Sequence, residues 1–285
     1  MSVFNEFFGF RENPFNQTPD TSLFYPSVKH KTALDALLYA VSQRKGFVVI
    51  TGEIGCGKTT VARMLLRKID GRVKVALITN THLSPKGIIH MILEDLDIPY
   101  KPGSKEKLIM QLNEYLLQQM KEDRNVVFII DEAQNLSPAC LEEIRMLSNL
   151  ETEKEKLIQI VLMGQPELRK KLDMPRLEQL RQRIRVSYHL MPLSEEESRH
   201  YIRHRMTKVA VSGQYPSGLF IDEALEQIYH ASRGIPRIIN IICEHCLLTA
   251  FVMETKVVTQ TIVEEVLSEL NIGGRQSHEQ VYQSA

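Results

Sequence analysis

The sequence predicts an α/β fold: a parallel five-stranded sheet with flanking helices, followed by a small all-helical domain. Three observations predict it. Five short apolar runs recur between Gly46 and Leu190, separated by amphipathic stretches. A glycine-rich segment, GEIGCGKT, stands between the first run and a helical pattern. After Pro192 the strand-like runs stop and helical periodicity alone remains.

The first 30 residues are rich in aromatics and prolines and show little periodicity, so an ordered leader lying against the main domain is expected. The runs that follow are Gly46–Thr51, Lys74–Asn80, Val126–Asp131, Leu157–Met163 and Arg185–Leu190. Each is β-branched or strongly apolar and about strand length, which suits a parallel sheet covered on both faces. Ser84-Pro85 and Ser137-Pro138 each put an N-cap hydroxyl before a proline in a first turn. Ser104 opens a helix with Leu108, Leu112, Tyr115 and Leu116 on one face. Ser194-Glu195-Glu196-Glu197 is a capping box that starts a helix running to about Val209. Helices over about 222–231, 235–252 and 259–269 complete the second domain. The expected organisation is a leader over 1–30, an α/β domain over 31–192, a helical domain over 193–270 and a flexible polar tail over 271–285.

Bulk composition narrows the function classes. The 285 residues carry 35 Lys+Arg and 35 Asp+Glu, for a net charge of zero. That argues against a broad electrostatic grip on nucleic acid or anionic lipid. The most apolar region, Ile235–Met253, is interrupted by Arg237, Asn240, Glu244 and His245, whereas a membrane span needs about 20 nearly unbroken apolar residues. The N-terminus lacks the features of a signal peptide, so a cytoplasmic location is expected. Cys243 and Cys246 have CxxC spacing but lie inside an apolar helical pattern with no second pair, which points to core packing.

The chemistry concentrates in two segments. Gly52-Glu53-Ile54-Gly55-Cys56-Gly57-Lys58-Thr59 fits GxxxxGK[ST], follows the strand FVVIT and precedes the helical run beginning at Thr60. Glycines let the backbone curl so that its N–H groups face phosphate oxygens, and the helix adds its positive end. Lys58 is expected to reach the outer phosphates of ATP or ADP, and Thr59 to hold Mg²⁺. Cys56 lies beside Lys58 at a helix N-terminus, an environment that favours thiolate; the alternative is that any small residue is tolerated there. The second segment, Val126–Glu132, ends an apolar strand in two carboxylates. Asp131 can bind Mg²⁺ directly or through water, and Glu132 can orient or activate the attacking water.

Together, the phosphate loop, the Asp-Glu pair and the helical C-terminal lid resemble the AAA+ ATPases. FFGFRENPFNQTPD, DEAQNLS, LSNLET, GQPEL, LRQRI and GIPRIIN more narrowly resemble the ExeA/GspA family linked to general secretion. The resemblance covers roughly residues 4–245. It implies that Gln165 is a sensor near the γ-phosphate and that Asn80 is a polar residue able to hold the catalytic glutamate in check. It makes Arg237 a lid sensor reaching the nucleotide. It makes Arg183, or alternatively Arg181, an arginine finger for a neighbouring subunit's site. Pro14, Phe15 and His30 match a segment that packs near the adenine; their aromatic and apolar surfaces suit a purine face and core packing equally. Larger members continue into a membrane helix and a peptidoglycan-binding domain, which these residues do not carry. The expectation is a short member or part of a longer chain.

The implied function is Mg²⁺-dependent ATP hydrolysis by a homo-oligomer that drives assembly or remodelling of an envelope secretion, pilus or export system. Such a protein could lie peripherally at the inner membrane through its partners. The second reading is an ATP-dependent DNA-binding regulator of the transposition (TnsC-like) or origin-recognition type. The neutral charge and the lack of a recognisable helix-turn-helix weigh against it. The run RKKLDMPRLEQLRQRIR reads as a solvated face, a subunit contact or a DNA path. A third reading is a non-hydrolysing switch.

Overall fold

The apolar runs become five strands: β1 Phe47–Gly52, β2 Val73–Ile78, β3 Asn125–Ile130, β4 Gln159–Gly164 and β5 Ile184–Leu190. They form one sheet of order β2-β3-β4-β1-β5, parallel at every pairing. Every residue of β1 and β4 is buried, as is all of β3 after Asn125. The edge strands β2 and β5 are only partly covered, which matches the polar residues in KVALI and RVSYHL. These features come from a computed structural model that describes residues 3–18, 20–69, 71–152, 156–214 and 217–272. Most of the expected flexible tail, residues 273–285, lies outside the described residues.

Helices α1 Val3–Phe8 and α2 Val28–Ser42 precede β1, and α3 Lys58–Lys68 follows it. Next come α4 Pro85–Asp95 and α5 Lys105–Lys121 before β3, and α6 Pro138–Leu147 after it. Ser84 and Ser137 accept from the N–H groups of Gly87 and Cys140, so both caps form as expected. Ser104 occupies the cap position of α5, but its side chain makes no cap hydrogen bond. After β4 come α7 Pro166–Leu172 and the short α8 Glu178–Arg181. Phe47, Phe128, Ile130 and Leu162 from the sheet join Ile92, Leu112 and Ile144 from the helices in one core.

The remaining helices are α9 Glu195–Val209, α10 Asp222–Ser232, α11 Pro236–Val252 and α12 Gln260–Glu269. The Ser194–Glu197 capping box is present in full. The chain divides into two compact units, Pro26–Met191 and Met1–Tyr25 with Pro192–Ala285. The first 25 residues thus group with the helical unit, not with the α/β domain as expected, and the boundary falls near residue 25 in place of residue 30. The leader's aromatics need an apolar partner, and Phe8, Phe10 and Phe15 find one in the helical core. The Arg11 N–H donates to Val209 O (2.8 Å), and the Val211 N–H to Gly9 O (2.9 Å). The Arg205 guanidinium donates to Pro14 O, Asn16 O and the Tyr201 hydroxyl. Cys243 and Cys246 are buried in this core, and burial pushes the Cys246 thiol up to about 12.

Gly234 fixes the entry to α11. Its φ is +73°, and a Cβ there would lie 2.0 Å from Leu193 O. The Leu193 N–H donates to Gly234 O (2.9 Å), so the two segments cannot separate without losing that bond. Gly234→Ala is expected to destabilise the helical unit by at least about 2 kcal/mol, from backbone strain and overpacking together. Urea unfolding followed by circular dichroism measures this, with Gly218→Ala as the comparison: Gly218 also has positive φ but nothing within 4 Å. Equal midpoints for the two variants would show that the contact with Leu193 contributes nothing.

Candidate functional site

The chain leaves β1 at Gly52, turns through Glu53, Ile54, Gly55, Cys56 and Gly57, and enters α3 at Lys58. Gly57 is the N-cap residue, at φ +92°, and no side chain caps the helix. The first-turn N–H groups of α3 thus have no intrahelical acceptor and no capping oxygen. Lys58 is buried and folds back so that its Nζ donates to Gly52 O (2.9 Å) and Glu53 O (3.1 Å). Burial lowers its pKa below the ordinary lysine value, while the Glu132 and Asp131 carboxylates act to raise it. Thr59 and Thr60 follow on α3, both half-buried.

Asp131, just past β3, is buried beneath this loop. The Thr59 hydroxyl donates to Asp131 Oδ2 (2.7 Å), and the Glu132 N–H donates to Oδ1 (2.9 Å). The Asp131 N–H is held by Ile78 O at the end of β2 (2.9 Å). Glu132 adopts a left-handed conformation, φ +50°. Its Oε2 accepts from two amides, Gln134 Nε2 (2.5 Å) and Gln165 Nε2 (3.2 Å). Gln134 Oε1 in turn accepts from the Gln165 N–H (3.0 Å). Lys171 on α7 donates to the carbonyls of Gln134 and Leu136, anchoring the turn that carries Glu132.

Gln134 and Lys171 were not singled out by sequence reasoning. Gln134 stands three residues past Asp131 in DEAQ, and that position was the only available signal. Asn80 was expected to restrain Glu132. It lies two residues beyond β2, exposed, and its Oδ1 accepts from the His82 N–H (3.2 Å). In this structure Gln134 and Gln165 hold Glu132 instead. Phe15 has no exposed surface and packs edge-on against Phe220, so it presents no ring face to a purine. His30 is buried behind the phosphate loop, its Nε2 2.8 Å from Cys56 O. It likewise presents no open face to a base. Cys56 overturns the thiolate expectation: it is fully buried, and burial outweighs the Lys58 charge, pushing the thiol up to about 11.

Arg183 lies outside this cluster. It precedes β5, whose Ile184 pairs with Phe47 at the start of β1, while Leu190 pairs with Gly52 at its end. The phosphate loop is thus a full strand away, about 20 Å at the usual rise. Arg183 Nη1 donates to Ser148 Oγ (2.7 Å), and Arg181 pairs with Asp173 (3.4 Å). Arg237 sits on the first turn of α11 in the helical unit and is exposed.

Residues 41–172 match the family described as AAA domain. Over 250 residues the chain is 40% identical to general secretion pathway protein A of Aeromonas hydrophila, an overlap of 87% of this chain and 45% of that protein. The chain belongs to the ExeA/GspA family of AAA+ ATPases. It spans less than half the length of the relatives it matches in sequence. Among solved structures it resembles the Aeropyrum pernix ORC2 protein, described in ADPNP-ADP complexes. There the TM-score is 0.65 at 16% identity, over 91% of this chain and 72% of that one. It also resembles the Aeropyrum pernix ORC1 protein in complex with DNA, with a TM-score of 0.64 at 17% identity, over 92% and 70%. At these identities the likeness concerns the fold alone.

All four cysteines are free and buried. With a pKa near 11, Cys56 is ionised to roughly one part in a thousand at pH 8. Ellman's reagent at pH 8 is therefore expected to leave the native protein unlabelled over the time in which the denatured chain releases four equivalents of thiol. Rapid native labelling at Cys56 would contradict the buried thiol.

Proposed function

We propose that this protein hydrolyses ATP with Mg²⁺, assembles with copies of itself, and drives assembly or remodelling of an envelope secretion, pilus or export machine. The observation that carries hydrolysis is Glu132, a carboxylate with one oxygen fixed by two amides, next in sequence to an aspartate bonded to the phosphate-loop threonine. The uncapped N-terminus of α3 and the loop N–H groups suit the phosphates. Lys58 adds charge next to them. With Oε2 held by Gln134 and Gln165, Oε1 is the oxygen that can take a proton from water attacking the γ-phosphate.

The donor set fits Mg²⁺. Thr59 Oγ1 and Asp131 Oδ2 are hard oxygens 2.7 Å apart beside the phosphate loop. Two carboxylates facing a polyphosphate would repel it without a cation between them. The ion would supply charge neutralisation of the phosphates, with Thr59 and Asp131 as the residues that hold it directly or through water.

Self-assembly is favoured by the distance between Arg183 and the phosphate loop of its own chain. A guanidinium a strand length away stabilises transition-state charge only in a neighbouring copy's site, with Arg181 as the alternative. Arg237 would act on the nucleotide from the helical unit. Secretion or export partners are supported by the likeness to general secretion pathway protein A. No helix among the described residues is long and apolar enough to cross a membrane. On the likeness to general secretion pathway protein A, we place the protein in the cytoplasm, held at the inner membrane by partners. A DNA-binding regulator is the second reading, favoured by exposed Arg169, Lys170 and Arg176 around α7 and α8. Salt-sensitive, ATP-dependent binding to duplex DNA would support it over the first.

Lys58→Ala is expected to abolish ATP binding. Glu132→Gln should still bind ATP but release phosphate at least about 100-fold more slowly. Unchanged phosphate release in the Glu132→Gln protein would remove Glu132 from the reaction. Size-exclusion chromatography of that variant with ATP, with and without duplex DNA, should give an oligomer that Arg183→Ala weakens.

A further inference from the structure

We infer that His30 is a positioning residue of the phosphate loop, holding the Cys56 carbonyl outward and so setting the direction of the adjacent N–H group. The inference rests on the reading of Gly52–Thr59 as a phosphate site and adds the residue that supports the loop from behind.

His30 lies on the first turn of α2 and is 5% exposed. Both ring nitrogens are engaged: Nε2 is 2.8 Å from Cys56 O, and Nδ1 is 2.7 Å from Ser27 Oγ. A carbonyl oxygen can only accept, so Nε2 carries a proton. In the neutral ring Nδ1 then accepts from the Ser27 hydroxyl, whose oxygen also accepts from the His30 N–H (3.3 Å). Ser27 thereby fixes both the tautomer and the ring orientation.

A trans peptide points its C=O and N–H in opposite directions. The Cys56 carbonyl belongs to the same peptide unit as the Gly57 N–H. With the carbonyl held toward His30, the Gly57 N–H must face the opposite side of the loop. Among the described residues it has no hydrogen-bond acceptor. The contact is also steric. A Cβ at Gly57 would lie 2.8 Å from His30 Nε2, and Gly57 adopts φ +92°. The imidazole therefore fits only beneath a glycine. The GxxxxGK[ST] pattern explains why residue 57 is glycine but names nothing that holds its peptide plane. His30, 26 residues upstream of Cys56, does so.

The test compares His30→Leu, which fills the space without a donor, with His30→Gln, whose amide nitrogen reaches the Nε2 position. The probes are a fluorescent ATP analogue and ADP with Mg²⁺, and the readouts are Kd and phosphate release at saturating ATP. His30→Leu is expected to weaken binding of both nucleotides about tenfold, the scale of one lost hydrogen bond. Turnover at saturation should change far less than Kd, and His30→Gln should recover most of the affinity. Thermal melting without nucleotide checks that each variant folds. If His30→Leu does not fold, His30→Asn takes its place, because it keeps a polar group near Nδ1 but cannot reach Cys56. Wild-type Kd in the Leu or Asn variant, or a Gln variant as weak as Leu, would overturn the inference. Failure of the wild-type protein itself to bind ATP would instead overturn the phosphate-site reading.

Discussion

The hydrogen bond from Thr59 to Asp131 joins two elements that the sheet holds apart. β1 and β3 are not neighbours, because β4 runs between them. At the usual strand spacing their ends are about 10 Å apart. The loop after β1 and the turn after β3 must therefore lean toward each other across the end of β4. A 2.7 Å contact between a threonine on the first turn of α3 and a buried carboxylate closes that gap. Asp131 is pinned from the other side by Ile78 O, so its position depends on β2, β3 and α3 together. Glu132 follows Asp131 directly and takes its position from the same anchor.

Around that bond the site has to bury charge. An ammonium taken out of water loses several kcal/mol of solvation unless acceptors replace the water. Lys58 finds two backbone carbonyls in its own loop and two carboxylates at the end of β3. The result is a lysine held within the loop. The same burial has the opposite effect on Cys56, two residues earlier. A thiol has no charge to lose while protonated, so burial keeps it neutral in spite of the lysine. The two side chains share one environment and respond according to which protonation state carries charge.

Much of the sheet could be read in advance. Each strand falls within a residue or two of its apolar run, because burial on both faces leaves β1, β3 and β4 one polar side chain apiece, Thr51, Asn125 and Gln159. The caps at Ser84, Ser137 and Ser194 were equally readable, being local chemistry. What sequence could not show was set by the path of the chain in space. The aromatics of the leader could pack on either domain, and nothing local selects the helical one. The resemblance puts His30 near the adenine; its partner in the structure, Cys56 O, is a backbone atom and leaves no trace in side-chain pattern. The resemblance links Asn80, the last residue of the second apolar run, to Glu132. The strand ends at Ile78, and the two extra residues carry Asn80 into an exposed loop.

Glu132 shows how the helix after a neighbouring strand governs the direction of a carboxylate. A residue other than glycine in the left-handed region carries about 1–3 kcal/mol of strain and persists only when its surroundings over-determine it. Here the Asn135 N–H donates to Glu132 O, the Glu132 N–H donates to Asp131 Oδ1, and two amides hold the carboxylate. One of those amides, Gln165, is the N-cap residue of α7, and Lys171 in the last turn of α7 grips the carbonyls of Gln134 and Leu136. Both ends of α7 thus bear on the turn after β3, although α7 belongs to the chain after β4. A shift of α7 along its axis would move Gln165 and Lys171 together and turn the carboxylate with them. The direction of Glu132 is therefore set through α7, by residues more than 30 positions away in sequence.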